Sequence, residues 1–456
     1  MATSFDEIQQ SYFAWSSKSQ KLMERARRFM PGGDTRTTAH YLPYPVFMNR
    51  AQGCHIYDVD GHEYTDFMNN FTTLILGHAH PKVVEAVAKQ AALGSAYAAP
   101  TESQFELAEI ICTRAPSIEQ LRFCSCGSEA TMMAIRAARA FTGKQKIMKI
   151  EGGYNGNHDT GEISLIPIES GPFEEPTPLL PDKGVPLSAL GDMVITPFNE
   201  PEITEKLIKK HKDELAALIM EPMMGALGMI APKPGYLKEI RRITRENDVL
   251  LIFDEVITFR LSSGGMQQMF GVSPDLTAMG KIIGGGLPIG AFGGRREIMQ
   301  QFSPETPNFM MHASTFSGNP LTMAAGIAAL KELTPEVYER LNNLGDKLRN
   351  GFNTAFEEVG IRGQATGLGS LVNLHLTDKP ISNARDSVMG FFQAGPIPMH
   401  LHLCMLQHGV FPASRQMYCI STPMTEKDIN RTVDALTDTL QELKPIIEAD
   451  YPHLLK

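Results

Sequence analysis

The sequence predicts an α/β protein in which a mostly parallel central sheet is covered by helices. From about residue 80 onward, helical patterns alternate with short apolar runs along the chain. The runs at 217–220 and 249–253 are apolar without interruption, as expected of strands that are buried on both faces. This alternation of helices and buried strands is typical of a parallel sheet with helices on its faces.

The individual elements of this region follow from the same pattern of apolar and polar residues. Residues 170–188 are rich in proline and are therefore expected to form an irregular loop. A loop of that length is often a lid or a contact with a partner, and the wider segment 157–188 is open to both interpretations. We predict helices at 81–94, 102–115 and 129–141, and strands at 121–123, 145–150, 217–220 and 249–253.

The two ends of the chain have a different pattern and predict a smaller α+β domain. Residues 5–30 have the pattern of a helix that ends at Pro31, and a hairpin with an Asp-Gly turn is expected over 46–61. Beyond about residue 325 come a long helix, several short strands and a charged helix at 425–447.

These changes of pattern divide the chain into three stretches. We expect an N-terminal segment at 1–75 that joins the small domain, a large domain at 76–325, and a C-terminal small domain at 326–456.

The composition argues against several classes of partner and location. The 456 residues carry a net charge of −9, and no basic stripe is available to neutralise phosphates, so no nucleic-acid partner is expected. The six cysteines form no CxxC pair, and no histidine follows them at zinc spacing, so we expect reduced thiols and no metal site. The first residues do not resemble a secretion signal, and no apolar run reaches about 18 residues. We therefore expect a cytoplasmic protein without a membrane partner.

Candidate ligand-binding residues follow the predicted strands, at the strand ends where open α/β sheets bind their ligands. Gly127 and Ser128 lead from one strand into a helix, so their N–H groups and the hydroxyl would form an anion site. The alternative there is a plain serine cap. Tyr154 lies in a glycine-rich turn after another strand, where its ring either stacks on a flat ligand or is only a rim residue.

Two acidic residues and a lysine complete the set. Asp254 and Glu221 each end an apolar strand, although a carboxylate in such a place can also cap a helix. Lys281 comes shortly before the glycines 284–286 and lies 27 residues after Asp254 (254 to 281), enough for one helix and a return strand. A lysine that bonds covalently to a carbonyl carbon and a carboxylate that holds a pyridinium nitrogen are the groups on which pyridoxal phosphate chemistry depends.

The order and spacing of these segments resemble those of the class III aminotransferases, which have the fold-type I pyridoxal phosphate architecture. This resemblance implies pyridoxal 5'-phosphate as the cofactor, pyridoxamine 5'-phosphate as its second form, and transfer of an amino group between small molecules. The matching segments are Tyr57-Asp58-Val59-Asp60-Gly61, Gly77-His78-Ala79-His80-Pro81, Gly127-Ser128-Glu129-Ala130, Asp254-Glu255-Val256, 280–286 and Thr315-Phe316-Ser317-Gly318-Asn319-Pro320.

The resemblance also implies a role for each matching residue at the cofactor ring. Lys281 would bind the cofactor covalently and, once displaced by substrate, would carry a proton shift. Asp254 would pair with the pyridine nitrogen. Val256 and Tyr154 would pack on opposite faces of the ring.

Further roles concern the phosphate and the surroundings of the ring. Gly127 and Ser128 would bind the phosphate together with Thr315 from a second subunit, so the resemblance implies a homodimer. Glu221 would orient the surroundings of the cofactor or its ring hydroxyl. The family commonly has histidine after the stacking tyrosine, and here that residue is Asn155, so any role that needs an imidazole is in doubt.

Two arginines bear on the choice of substrate. A guanidinium group suits bidentate binding of a carboxylate, although a structural salt bridge is the alternative for either residue. Arg36 and Arg415 lie in segments that look like those of the aromatic β-amino acid aminotransferases. In that interpretation Arg36 holds the carboxylate of the β-amino acid, and Arg415 helps to hold a keto-acid acceptor such as 2-oxoglutarate or pyruvate.

The sequence also bears on four alternatives to a β-amino acid aminotransferase. The chain is also similar to the glutamate-1-semialdehyde aminomutases, which share the Gly-Lys-Ile-Ile-Gly-Gly-Gly-Leu-Pro run, and to the D-phenylglycine aminotransferases. A nucleotide-binding enzyme is not indicated, because the sequence has neither GxGxxG after its first strand nor a Walker lysine motif. A cofactor-binding protein without turnover would be expected to lack the lysine or the aspartate, and the chain has both.

Overall fold

The computed structural model describes residues 4–456, so the first three residues of the predicted N-terminal segment lie outside the described part. The described chain divides into two units. The large unit comprises Pro81–Glu339 and Ile381–Val388, and the small unit comprises the N-terminal residues up to His80, Arg340–Pro380 and Met389–Lys456.

The strands and helices alternate through the large unit and are more irregular in the small one. The strands are β1 (Met48–Gln52), β2 (His55–Asp58), β3 (Glu63–Asp66), β4 (Gln120–Cys124), β5 (Lys146–Ile150), β6 (Met193–Thr196), β7 (Leu215–Met220), β8 (Leu250–Asp254), β9 (Leu276–Gly280), β10 (Gly290–Gly294), β11 (Gln364–Leu368), β12 (Leu371–His375), β13 (Val410–Phe411) and β14 (Met417–Cys419). The helices are α1 (Phe5–Trp15), α2 (Ser17–Ala26), α3 (Asn69–Thr72), α4 (Pro81–Leu93), α5 (Glu102–Arg114), α6 (Gly127–Thr142), α7 (Asp159–Glu162), α8 (Pro201–His211), α9 (Tyr236–Glu246), α10 (Gly265–Phe270), α11 (Arg296–Met299), α12 (Pro320–Glu332), α13 (Pro335–Val359), α14 (Ala384–Ala394), α15 (Ile397–Gln407) and α16 (Glu426–Asp450).

A seven-stranded sheet in the order β4-β10-β9-β8-β7-β5-β6 forms the centre of the large unit. The neighbours from β9 to β6 pair in parallel, whereas β10 is antiparallel to both β9 and β4. The mostly parallel α/β fold is therefore confirmed. The parallel strands end at one edge of the sheet, and this edge carries the candidate site.

The glycine-rich strand β10 was not predicted, because its sequence Gly-Ala-Phe-Gly-Gly has little β-branched or aromatic character. Its glycines are needed where the neighbouring backbone comes close. A Cβ atom at Gly290 would lie 2.0 Å from the Cys126 carbonyl oxygen, and one at Gly293 would lie 2.5 Å from the Gln120 carbonyl oxygen. The missing side chains thus let β10 pack under the loop that begins α6.

Helix α6 lies against this sheet through small residues. Ala130, Ala134, Ala137 and Ala138 are fully buried in the core of the large unit. Alanine lets a helix axis approach a sheet closely and also has the highest helix propensity. The N-terminus of α6 is thereby held beside the sheet, directly after β4.

The small unit contains two sheets and most of the terminal helices. One sheet has the order β1-β2-β3-β13, and the other is the antiparallel sheet β11-β12-β14. The turn at Asp60-Gly61 joins β2 to β3, and the Asp58 carboxylate accepts a hydrogen bond from the Gly61 N–H at 2.7 Å. The predicted helix over 5–30 is divided at Ser16 into α1 and α2.

The limits of the two units differ from the predicted domain limits of 75 and 325. The units change at residues 80 and 339, and a short piece at 381–388 returns to the large unit. The limit predicted at 325 divides α12, which packs against α4 and α5 and so belongs with the large unit. None of the helices at residues 4–456 has the length and apolar character that would let it cross a membrane.

We predict that Gly290→Ala destabilises the protein, because the added Cβ would collide with the Cys126 carbonyl. Overpacking of this kind typically costs about 1–3 kcal/mol, and the thermal unfolding midpoint should fall by a few degrees. Gly191→Ala is the matched control, since a Cβ there meets no atom within 4 Å. Equal midpoints for the two variants would contradict the close approach of β10 to the α6 loop.

Candidate active site

The parallel strands bring three predicted residues to one edge of the sheet. Glu221 directly follows β7, Asp254 ends β8, and Lys281 directly follows β9. The strand register pairs Met220 with Phe253 and Asp254 with Ala278, so the three strands end at nearly the same level. The residues between Asp254 and Lys281 contain the predicted helix and return strand, α10 and β9.

Asp254 is a buried carboxylate with two hydrogen bonds from its own unit. Its Oδ2 accepts from Asn155 Nδ2 at 2.9 Å, and its Oδ1 accepts from the Val256 N–H at 3.1 Å. Burial raises the pKa of Asp254, while these hydrogen bonds and the charge of Lys281 oppose the rise. The amide of Asn155 thus orients this carboxylate without an imidazole.

Lys281 has a left-handed backbone with φ of +51°, which is uncommon for a residue with a side chain. It opens a short 3₁₀ turn, and the glycines that follow pack closely on neighbouring backbone. A Cβ at Gly285 would lie 2.3 Å from the Ala325 carbonyl oxygen of α12. The charge of Lys281 lowers the pKa of both Asp254 and Glu221.

Glu221 links the turn that contains Tyr154 to the strand edge. Its Oε1 accepts from the Tyr154 N–H at 3.2 Å, and its Oε2 accepts from the Gly225 N–H at 3.0 Å. Burial, followed by the charge of Asp254, raises the pKa of Glu221 to about 7. Tyr154 itself is 40% exposed, as a ring free to cover a ligand would be.

The N-terminus of α6 has the geometry of an anion site. The helix begins at Gly127, and Ser128 Oγ accepts a hydrogen bond from the Asn157 N–H at 2.9 Å. The first N–H groups of a helix have no partner inside it and favour a negative ligand. A Cβ at Gly127 would lie 3.0 Å from Val256, so the glycine is needed for the valine to close on this turn.

Thr315 lies at the surface of the large unit. Its neighbour Ser314 forms a hydrogen bond between hydroxyl groups with Ser125 at 3.0 Å, next to the α6 N-terminus. A cavity of about 740 Å³ runs between α5 and this segment, and Phe105, Arg122 and Thr315 are among its lining residues. The role of Thr315 toward a second subunit stays a prediction.

Arg385 ties the proline-rich loop after α7 to the edge of the sheet. Arg385 forms an ion pair with the buried Glu151, with Nε and Oε2 2.9 Å apart. Its Nη1 also donates to the Gly171 carbonyl at 2.9 Å, and its guanidinium lies 5.3 Å from the Phe173 ring centroid. The loop is irregular as predicted, and its action as a lid stays a prediction.

The sequence analysis missed Lys149, which lies next to this set of residues. Lys149 is fully buried in β5, and its Nζ donates to the Gly153 carbonyl. Burial lowers its pKa to about 8, against the charges of Glu221, Asp254 and Glu162. The available signal was a single charged residue inside the apolar run Ile147-Met148-Lys149-Ile150.

The two predicted arginines lie together in the small unit. Arg36 and Arg415 place their guanidinium carbons 5.6 Å and 6.0 Å from the centroid of the same ring, that of Phe71. Arg36 Nη1 also donates to Asn70 Oδ1 at 2.7 Å. Cations near an aromatic face are attracted by its electron density. Both arginines are therefore close enough to the Phe71 ring for a cation–π interaction.

The turn that carries Phe71 has an unusual backbone. The four residues of α3, from Asn69 to Thr72, all have positive φ, between 46° and 73°. Such a conformation is costly for residues with side chains and is retained where surrounding contacts over-determine it. The Asp66 carboxylate provides one such contact by accepting from the Asn69 N–H at 2.9 Å.

The residues of the large unit fit pyridoxal phosphate chemically. A helix N-terminus suits a phosphate, a buried carboxylate suits a protonated ring nitrogen, and a primary amine suits an aldehyde carbon. Gly127 has no side chain to cover the N–H groups at the start of α6, and a Cβ there would lie 3.0 Å from Val256. The donor set therefore agrees with the cofactor that the sequence implied.

Comparisons with known proteins agree with this chemistry. The family model for class III aminotransferases matches residues 37–440. A glutamate-1-semialdehyde 2,1-aminomutase of Methanobrevibacter smithii is 42% identical over 93% of this chain and 98% of its own. Among solved structures, an omega-transaminase of Sphaerobacter thermophilus is 44% identical, with a TM-score of 0.89 and coverage of 93% of this chain and 98% of that one. A β-phenylalanine aminotransferase of Variovorax paradoxus is 33% identical, with a TM-score of 0.87 and coverage of 96% and 97%. The chain belongs to the class III aminotransferases, a family of pyridoxal phosphate-dependent enzymes.

Proposed function

We propose that this enzyme transfers an amino group from a carboxylate-bearing amine, an aromatic β-amino acid, to a keto acid. The observation that carries this proposal is the pair of arginines on the Phe71 ring. A transfer between two molecules has to bind a carboxylate on the donor and at least one on the acceptor. Two guanidinium groups near one ring suit that requirement, because each can bind a carboxylate in bidentate fashion.

The cofactor would be held by the residues at the edge of the large sheet. When bound, pyridoxal phosphate supplies an electron sink for the carbon that carries the substrate's amino group. In our proposal the residues that hold it are Gly127 and Ser128 at the phosphate, Asp254 at the ring nitrogen, Tyr154 and Val256 at the two ring faces, and Asn155 and Glu221 around them.

Lys281 is the proposed catalytic base. Its Nζ would take the proton from the carbon that bears the substrate's amino group, once the substrate has displaced it from the cofactor. The buried carboxyl groups of Asp254 and Glu221 support this role, since their pKa values respond to the charge of Lys281. Burial of this edge excludes water and strengthens each of these interactions.

The substrate carboxylates would be bound in the small unit. Arg36 would hold the carboxylate of the amino donor, with its guanidinium oriented by the 2.7 Å hydrogen bond to Asn70. Arg415 would help to hold the keto acid, for which 2-oxoglutarate and pyruvate are the candidates. Phe71 would keep the two guanidinium groups in place and offer an aromatic surface to an aromatic donor.

The second candidate function is an aminomutase reaction, in which the amino group moves within one molecule. Eight curated relatives that share 40–42% identity with this chain over 92–94% of its length are named glutamate-1-semialdehyde 2,1-aminomutases. These names agree better with the second candidate than with a β-amino acid aminotransferase. The arginine pair and the solved transaminase at 44% identity favour the first.

Product analysis distinguishes the two reactions. With an aromatic β-amino acid and 2-oxoglutarate, we expect glutamate to accumulate and the absorption band between about 400 and 430 nm to fall when donor is added.

Lys281→Ala should abolish turnover with the fold intact, whereas Lys331→Ala, at a surface lysine paired with Glu106, should keep it. Consumption of glutamate-1-semialdehyde without any acceptor, and no glutamate from the β-amino acid, would establish the aminomutase instead.

We predict that the two arginines affect different substrates. Arg36→Met should raise KM for the donor, and Arg415→Met should raise KM for the keto acid. Each rise should be about tenfold to a hundredfold, since a hydrogen bond to a charged group contributes roughly 1.5–3 kcal/mol. Arg50→Met is the control, because Arg50 lies 3.5 Å from the ring centroid of Tyr57, in the same unit. Steady-state kinetics with each substrate varied in turn would contradict the assignment if neither KM changed.

We also propose that the enzyme acts as a homodimer through the surface around Thr315. Tyr97, Phe105 and Phe316 are 47%, 62% and 62% exposed, which is unusual for large apolar side chains of one unit. Hydrogen bonds from Gln104 to the Gly318 carbonyl and from Asn319 to the Ser95 carbonyl connect the segments that carry them. A second copy of the chain would cover these rings.

Sedimentation equilibrium tests the dimer. The wild-type enzyme should have a mass of about twice the 50.2 kDa of one chain, and the variant Phe105→Glu with Phe316→Glu should sediment as a monomer. Phe29→Glu is the matched control, because Phe29 is 81% exposed but lies in the small unit. A monomeric wild type, or an unchanged mass for the double variant, would overturn this surface as the interface.

A further inference from the structure

Lys149 is a fully buried lysine for which the residue roles proposed above have no use. It lies in β5 between two strands, opposite Ile195 of β6 and Ile219 of β7. An ammonium group in such a place is costly unless it is paired and hydrogen-bonded. Its retention among the buried residues of β5 therefore requires specific partners.

Its first partner is the turn that carries Tyr154. Lys149 Nζ donates to the carbonyl of Gly153, and the Gly153 N–H donates to the Ile150 carbonyl at 3.1 Å. The next N–H along the chain, that of Tyr154, donates to Glu221. Lys149 therefore holds the turn from the buried side of the sheet edge.

Its second set of partners is electrostatic. Asp254 and Glu221 are both buried, and each raises the free energy of a negative charge on the other. The charge of Lys149 lowers the pKa of Asp254, and the charges of the two carboxyl groups in turn raise the pKa of Lys149. The ionisable groups that interact with this part of the unit are Asp254, Glu221, Lys281, Glu162 of α7, and His158 in the preceding loop.

We propose that Lys149 is a positioning residue of the cofactor site, which holds the Tyr154 turn through the Gly153 carbonyl and contributes a buried positive charge beside the carboxyl groups of that site. The inference rests on the proposed function only in assigning Asp254 and Tyr154 to the cofactor. Without this charge, only Lys281 and the hydrogen bonds from Asn155 and Val256 would oppose protonation of Asp254, and a protonated Asp254 could not pair with a positively charged ring nitrogen.

Two substitutions separate the hydrogen bond from the charge. Lys149→Met removes both at nearly constant length, whereas Lys149→Gln keeps a donor and removes the charge. Lys146→Met is the matched control, because Lys146 lies in the same strand and pairs with Glu214 at the surface. The measurement is the dissociation constant of pyridoxal phosphate from the loaded enzyme, at pH 6 and at pH 9, with the thermal unfolding midpoint of each variant.

We expect Lys149→Gln to weaken cofactor binding about tenfold at pH 6, because the uncharged side chain no longer favours the ionised form of Asp254. The ratio of the variant's dissociation constant to that of the wild type should fall toward one at pH 9. At that pH the wild-type lysine has lost its proton, and Asp254 is ionised in both proteins. Lys149→Met should show the same trend with an added, pH-independent loss from the broken hydrogen bond. Lys146→Met should match wild type at both pH values.

Two outcomes would overturn the proposed role of Lys149. Equal affinity for Lys149→Gln and wild type at pH 6, or a ratio that does not change with pH, would overturn the role of the charge. If Lys149→Met fails to fold, Lys149→Gln decides alone by the same criterion. If the wild type binds pyridoxal phosphate but transfers no amino group, the proposed reaction fails while the comparison of dissociation constants still decides this inference.

Discussion

The buried carboxyl group of Asp254 at the end of β8 is the constraint on which the rest of the site depends. Asp254 lies where the apolar strand ends, and burial alone would favour its protonated form. Asn155 and the Val256 N–H donate to its two oxygens, and Lys281 and Lys149 oppose the rise of its pKa. Each of these partners follows or lies in a strand of the same sheet. The parallel arrangement of the strands therefore brings the hydrogen-bond donors and the positive charges to Asp254.

Close backbone approach is the second constraint. Gly290 lets β10 pack beneath the α6 loop, Gly127 lets Val256 close on the helix start, and Gly285 lets the turn after Lys281 meet α12. In each case a Cβ atom would reach contact or collision distance with an adjacent segment. Glycine is typical of loops, but these three glycines allow neighbouring segments of the site to pack closely.

The small unit uses strained backbone for a related purpose. Four consecutive residues with positive φ turn Phe71 toward Arg36 and Arg415. Strain of this kind is retained where it presents side chains that an ordinary turn would not. In our proposal this turn determines which carboxylates the enzyme accepts, while the large unit determines what happens to the amino group.

The sequence by itself determined the α/β class and singled out Lys281, Asp254 and the start of α6 as candidate site residues, because these follow from apolar runs and from residues at their ends. It also singled out both arginines, yet only as separate residues. Tertiary structure alone decided that they share the Phe71 ring, that Asn155 donates to Asp254 and that Lys149 is buried beside the same carboxylate. It also assigned α12 to the large unit and revealed β10 as a strand. The physical reason is that local patterns encode the period and ends of an element, whereas pairing between distant segments depends on the three-dimensional packing of backbone and charge.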